Sequence, residues 1–219
     1  MEIQFRLFGI PIHVSAFFLL AAVILGRQGG GTPALLAAWI VVMFLGVLLH
    51  ELGHGLTAKA FGQEPAITLH GFGGVTVWQP RGGIGPGKRA VITLAGPMVG
   101  LVIGFPAFVV ATLMTEGSLA RQVMNYVWEV NLVWAIFNLL PMLPLDGGRI
   151  MASLLELAFG AGALRAAYVL SIVVAVLIGL LMMWAGLYIT LLFCAYFVFL
   201  NVQALRELAR PPVPPALDA

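Results

Sequence analysis

Three residues within about one turn of a predicted helix have the types and spacing needed to activate water. His50 and His54 are four positions apart, which places both imidazoles on the same face of the helix. Two imidazoles placed in this way can share one tetrahedral Zn²⁺. Glu51 lies beside them, where it can act on a metal-bound water rather than on the metal. The H-E-x-x-H pattern therefore indicates a catalytic zinc site.

The surroundings of this pattern are apolar. Residues 34–49 carry no charge, and the whole chain is 61 % hydrophobic and 9 % charged, with a mean hydropathy of +1.04. Soluble domains carry about 25 % charged residues, so the composition predicts a polytopic membrane protein. H-E-x-x-H also occurs by chance in soluble helices, but an ionisable group in a lipid-spanning helix is costly and rarely without a function. We therefore expect the zinc site to lie inside a membrane.

Composition also excludes several other classes. A net charge of +2 without a basic run argues against nucleic-acid binding. Cys194 is the only cysteine, so the chain can form neither an intramolecular disulfide nor a multi-cysteine metal site. Because no polar stretch is long enough for an accessory domain, we expect one transmembrane domain at 1–210 and a short extended tail at 211–219.

The expected fold is a polytopic α-helical membrane protein with about six transmembrane helices and a small membrane-associated sheet. Residues 1–12 alternate like a strand, and residues 66–78 are predicted to form a β-hairpin around glycines that pairs with that strand. The six predicted spans are 12–26, 33–61, 90–115, 126–140, 163–184 and 187–205.

The basic residues predict the orientation of these spans. With the N-terminus inside, every Lys and Arg except Arg27 and Arg121 falls on the inner side, as the positive-inside rule requires. At 1.5 Å per residue, His50 lies roughly 25 Å from the start of its helix, toward the far side of the bilayer core. We expect an integral multi-pass protein of a prokaryotic cell membrane, with both termini and the active site toward the cytosol.

A catalytic zinc usually has three protein ligands, and the residues alone leave the third one open. His13 and His70 lie near the start of the first span and in the hairpin, where interfacial or locally satisfied roles are more common than metal binding. Asp146 is better placed, after a broken helix and before two glycines that permit close backbone approach. An ordinary turn-forming Asp would look the same.

Three further motifs bear on this choice. Residues 138–148, Asn-Leu-Leu-Pro-Met-Leu-Pro-Leu-Asp-Gly-Gly, fit the pattern N-x-x-P-x-x-P-x-D-G. Together with the H-E-x-x-H helix, the Phe-Gly-Gly of the hairpin and Ala-Gly-Pro at 95–97, this segment resembles the site-2 protease family of intramembrane zinc metalloproteases, peptidase family M50. The resemblance covers nearly the whole chain and matches a minimal six-span form without a PDZ or CBS domain. Gly100 departs from it, because many relatives carry Asn there.

The resemblance implies a role for each site residue. His50, His54 and Asp146 would bind one Zn²⁺ per chain, and Glu51 would be the catalytic base for peptide-bond hydrolysis. Asn138 would hold the substrate backbone, although a hydrogen bond between helices is an alternative role for it. The implied substrate is a transmembrane segment of another protein. The hairpin would bind the unwound segment by strand addition, or would only shield the site from lipid.

Two other functions remain open from the sequence. A membrane metal transporter also places His, Glu and Asp in the membrane, although it would need several ligand sets along a path. An inactive relative would bind transmembrane partners without cutting them, but the complete set of motif residues argues against it. The sequence does not predict the oligomeric state, the substrate's identity or the cleavage position.

Overall fold

The structure is a computed structural model that describes residues 2–27, 32–71, 73–79 and 82–210. The chain forms two compact units, Met1–Leu140 and Pro141–Ala219. Two predicted features lie outside the described residues: Phe72 of the hairpin and the extended tail at 211–219.

The first unit combines a sheet with helices. Its elements are β1 (Glu2–Leu7), β2 (Ile10–Ser15), α1 (Ala16–Arg27), α2 (Pro33–Ala60), β3 (Glu64–His70), β4 (Gly73–Gln79), α3 (Pro86–Leu113), α4 (Leu119–Trp128), a π-helical turn (Glu129–Val133) and α5 (Trp134–Asn138). The second unit is helical throughout its regular elements, which are α6 (Asp146–Phe159), a 3₁₀ turn (Ala161–Ala163), α7 (Leu164–Trp184) and α8 (Tyr188–Leu208).

The described strands form one sheet in the order β1-β2-β3-β4. The predicted hairpin is confirmed as the antiparallel pair β3 and β4, and β2 lies parallel to β3 with Ile12 opposite Ile67. The N-terminal region differs from the single strand expected at 1–12. Phe8 and Gly9 have positive φ angles of 52° and 77°, and the tight turn they form returns the chain as a second strand.

One face of this sheet supplies much of the core of the first unit. Alternate residues of β2 and β3 are almost fully buried, because side chains two apart on a strand share a face. They pack with apolar side chains of α1 and α2 in a cluster that includes Ile10, Ile12, Val14, Ile67, Leu69, Phe18, Val47 and Leu52. The sheet is thereby fixed against the half of α2 that carries the H-E-x-x-H motif.

Helix α2 follows the sequence prediction closely. The Thr32 hydroxyl accepts a hydrogen bond from the Leu35 amide at 3.4 Å, and Pro33 occupies the first helical position. The helix ends before Gly62, whose φ of 79° is a left-handed conformation that suits glycine.

Four of the described helices are long and apolar enough to cross a membrane: Pro33–Ala60, Pro86–Leu113, Ala161–Trp184 and Thr190–Leu208. They correspond to four of the six predicted spans. In the predicted first span, residues 12–15 belong to β2, which leaves the 12-residue helix α1. The predicted span at 126–140 contains a π-helical turn between two short helices. The structure therefore confirms a mostly helical protein with four candidate membrane-spanning helices and a small sheet, whereas six complete spans are not among its described helices.

Candidate metal centre

The two histidines of α2 face each other across one helical turn. Their Nε2 atoms are 3.2 Å apart, and both side chains are buried. Two nitrogens that share a tetrahedral zinc, each about 2.0–2.1 Å from it, would be about 3.3 Å apart. The observed spacing of His50 and His54 therefore fits a shared metal ion.

Helix α3 fixes the orientation of the second imidazole. Nδ1 of His54 is 2.8 Å from the backbone oxygen of Ile92. Because a carbonyl oxygen can only accept, Nδ1 carries the proton and the Nε2 lone pair is left for a metal. Gly96 lies one turn further along α3, and a Cβ there would be 2.8 Å from Cδ2 of His54 and closer still to Nε2. The absence of a side chain at Gly96 makes room for the imidazole.

Gly53 lies next to the metal-binding histidines, where its small size could allow either a water channel or close helix packing. A Cβ at Gly53 would lie 2.7 Å from the backbone oxygen of Ala95. Helices α2 and α3 therefore approach each other closely at this glycine, which is the common use of glycine in membrane helices. The same close approach brings the Ile92 carbonyl to His54.

Glu51 is buried and is held from the sheet side. The Thr76 hydroxyl, on β4, lies 2.6 Å from Oε2 of Glu51 and 3.1 Å from the Glu51 backbone oxygen. Its single proton is best donated to the nearer carboxylate oxygen. Gly74 on the same strand lies against the carboxylate, because a Cβ there would be 2.6 Å from Oε1. Strand β4 therefore determines where the Glu51 carboxylate can be.

Asp146 belongs to the second unit, where it is the first residue of α6 and is 7 % exposed. Each unit therefore contributes buried donor atoms of its own, two imidazoles from the first and this carboxylate from the second. Two imidazoles and a carboxylate are the donor set of a catalytic zinc, so the residues present fit that metal. Among the described residues, neither His13 nor His70 is grouped with other side chains that could hold a metal ion.

Asn138 is the last residue of α5, and its side-chain amide donates to the backbone oxygen of Trp134 at 3.0 Å. This bond lies within one helical segment, so it is not the hydrogen bond between helices considered above. The contact leaves the predicted role of Asn138 in substrate binding open to experiment.

Sequence reasoning missed two groups that position the site, the Thr76 hydroxyl and the Ile92 carbonyl. Thr76 lies in a run of β-branched residues, where Thr is an ordinary strand residue and gives no functional signal. A backbone carbonyl has no signature in sequence at all. Only the register of β4 and the packing of α3 on α2 reveal these contacts.

Comparisons with known proteins show similarity to zinc metalloproteases. The family described as Peptidase family M50 matches residues 114–184. A zinc metalloprotease of Methanocaldococcus jannaschii is 32 % identical over 71 % of this chain and 46 % of its own length. Stage IV sporulation protein FB of Bacillus subtilis is 29 % identical over 65 % of this chain and 46 % of its own length.

A solved structure extends the similarity to nearly the whole chain. The site-2 protease from Methanocaldococcus jannaschii matches with a TM-score of 0.62 and 26 % identity, over 97 % of this chain and 99 % of that one. In contrast, this chain spans about half the length of the curated relatives that it matches first.

Proposed function

Because the chain belongs to the site-2 protease family of zinc metalloproteases, peptidase family M50, we propose that it is an intramembrane zinc endopeptidase. The observation that carries the proposal is the buried pair of imidazoles of His50 and His54, whose Nε2 atoms are 3.2 Å apart, with Glu51 next to the first histidine in sequence. Asp146, buried at the start of α6, is proposed as the third ligand. We propose that the two compact units act together as one metalloprotease domain that binds one zinc ion.

The three ligand residues would hold the zinc, and the remaining groups would position the reactants. Zinc, when bound, supplies a Lewis acid that activates water and polarises a peptide carbonyl. His54 keeps its Nε2 available because Nδ1 is committed to the Ile92 carbonyl. Glu51 accepts a proton from the attacking water and passes it to the leaving amine. The Thr76 hydroxyl holds the carboxylate of Glu51 for both transfers.

We propose that the substrate is a transmembrane segment of another protein, bound in extended form beside β4. This strand is at the edge of the described sheet, next to β3 alone. Pro65 of β3 lies opposite Trp78 and has no amide hydrogen to exchange with it. This pairing favours a Trp78 amide directed away from β3, and we propose that an added strand at the open edge accepts its hydrogen bond. Asn138 is proposed to hold the substrate backbone as well.

The strand-addition proposal is tested by two variants of Trp78. Trp78→Pro removes the amide hydrogen and the indole ring, whereas Trp78→Ala removes the ring alone. We expect Trp78→Pro to slow cleavage about tenfold more than Trp78→Ala, which corresponds to the loss of about one hydrogen bond. Equal cleavage by the two variants, both folded and zinc-loaded, would refute strand addition at this amide.

We further propose that the protein lies in a cell membrane with six apolar segments and a cytosolic active site. The four long apolar helices support this, as do large apolar side chains that point outward from them, such as Val102, Phe105, Leu177 and Leu192. The distribution of Lys and Arg supports the orientation. Cysteine-accessibility labelling of residues next to Lys59 and Arg121 tests it, since these two positions should be labelled from opposite sides.

The decisive test of the function is cleavage of a model transmembrane substrate by the purified protein. We expect cleavage by the native chain, none after chelation, and none by Glu51→Gln with its zinc retained. A metal transporter would instead move zinc into proteoliposomes independently of Glu51, and an inactive relative would bind the substrate without cutting it. Either result would overturn the proposed function.

A further inference from the structure

Two polar side chains of the second unit hold the backbone of one loop residue. Ser171 on α7 and Asn201 on α8 are 0 % and 2 % exposed. The Ser171 hydroxyl accepts a hydrogen bond from the Leu143 amide at 3.0 Å, and the Asn201 side-chain amide donates to the Leu143 carbonyl at 2.8 Å. Both backbone polar groups of Leu143 are therefore bound by side chains that come from two different helices.

Each of these side chains is also anchored to its own helix. The Ser171 hydroxyl donates to the backbone oxygen of Ala167 at 2.7 Å. The Asn201 amide gives a further hydrogen bond to the backbone oxygen of Phe197, also at 2.7 Å. The hydroxyl therefore both donates and accepts, and the amide uses its two hydrogens on two carbonyls. These bonds restrict the side chains, so Leu143 has little freedom to move relative to α7 and α8.

The short loop between Leu143 and Asp146 couples the positions of these two residues. The Leu145 amide donates to the Met142 carbonyl at 3.0 Å, which closes a tight turn. Gly148, in the first turn of α6, lies directly against this loop, since a Cβ there would be 2.6 Å from the Met142 oxygen. The loop is thus folded onto the helical turn that begins with Asp146, and a shift of Leu143 would shift that carboxylate.

Burying the polar side chains of Ser171 and Asn201 in apolar helices is energetically unfavourable unless they form hydrogen bonds. The helices that carry Ser171 and Asn201 have span hydropathies of 2.7 and 1.4, and an Asn inside such a helix must find partners. One purpose is to satisfy irregular backbone inside an apolar environment. A second follows from the loop geometry, because the irregular backbone leads directly to Asp146. The two purposes predict different effects on metal affinity.

We infer that Ser171 and Asn201 are positioning residues that set the location of Asp146 for zinc binding. This inference rests on the proposed function, in which Asp146 is a zinc ligand. Partners outside the ligand set typically change metal affinity by about 10–100-fold when they are removed. Because these two residues act through the loop backbone, we expect losses near the lower end of that range.

The test is the zinc affinity of the full chain in detergent, measured by competition with a chromogenic chelator. Ser171→Ala and Asn201→Leu each remove one of the two bonds to Leu143. Ser171→Thr keeps the hydroxyl and serves as the conservative variant. Cys194→Ala is the matched control, because it removes a buried side-chain atom from α8 at a position that takes no part in the two hydrogen bonds to Leu143. Thermal unfolding confirms that each variant is folded, and either removal variant suffices if the other does not fold.

We expect about tenfold weaker zinc binding in Ser171→Ala and Asn201→Leu, and affinities within about threefold of the native value in Ser171→Thr and Cys194→Ala. Native affinity in a folded removal variant would overturn the inference, as would an equal loss in Cys194→Ala. The variant Asp146→Ala shows whether such a result contradicts only the positioning inference or the proposed zinc site as well. If Asp146→Ala weakens zinc binding and the removal variants do not, only the positioning role is wrong. If Asp146→Ala has no effect, the zinc site and the inference fail together.

Discussion

Replacing Gly96 by alanine is predicted to remove zinc binding while leaving α3 helical. The added Cβ would lie 2.8 Å from Cδ2 of His54, whereas ordinary contacts begin near 3.4 Å. The imidazole would have to move by at least about 0.6 Å, roughly three times the tolerance of about 0.2 Å on a zinc–ligand distance. The imidazole is buried and its Nδ1 is bound to the Ile92 carbonyl, so this movement would break an existing contact.

The expected magnitude follows from the loss of one ligand. Removal of an outer partner of a zinc ligand costs about 10–100-fold in affinity, so displacement of the ligand itself should cost at least about 100-fold. Zinc affinity is measured by chelator competition on the purified protein, and cleavage of a model substrate should fall in proportion to zinc occupancy.

Gly87→Ala is the matched control on the same helix. A Cβ at Gly87 would meet no atom within 4 Å, so this variant should bind zinc normally and lose no stability, since alanine favours helix over glycine by up to about 1 kcal/mol. Native zinc affinity in Gly96→Ala would contradict this prediction, because it would mean that zinc binding does not need His54 in its observed position.

Three further substitutions test other parts of the structure. Thr76→Val should slow cleavage about 10–100-fold with zinc affinity unchanged, because Glu51 loses a hydrogen bond to a charged group worth about 1.5–3 kcal/mol; Thr76→Ser should restore activity. Gly100→Ala should lower thermal stability by about 1–3 kcal/mol, since its Cβ would lie 2.7 Å from the Asn131 backbone oxygen. Thr32→Ala should lower the free energy of unfolding, measured by calorimetry, by about 1 kcal/mol because the N-cap of α2 is lost; Thr32→Ser keeps the cap and should leave it unchanged.

The sequence was sufficient for features that depend on local chemistry. The start of α2 at Thr32 and Pro33 and its end at Gly62 follow from capping rules, and the helix alone places His50 and His54 on one face. The β3–β4 hairpin follows from alternating residues around glycines.

Features that depend on non-local pairing were not predictable in the same way. The alternation at 1–12 predicts one strand, but Gly9 forms a turn and Pro11 lies inside a second strand, β2, which pairs with β3. This pairing uses residues that were expected to begin the first span. The contact of Thr76 with Glu51 depends on the register of β4, which short motifs do not encode.

Zinc K-edge X-ray absorption of the zinc-loaded protein tests the central claim most directly. We expect a first shell of nitrogen and oxygen at about 2.0–2.2 Å, with multiple scattering from two imidazoles. We also expect that His54→Ala loses one imidazole and that Asp146→Ala keeps both. A first shell containing sulfur, which would implicate Cys194 or a methionine, or a spectrum unchanged by His54→Ala, would contradict the proposed metal centre.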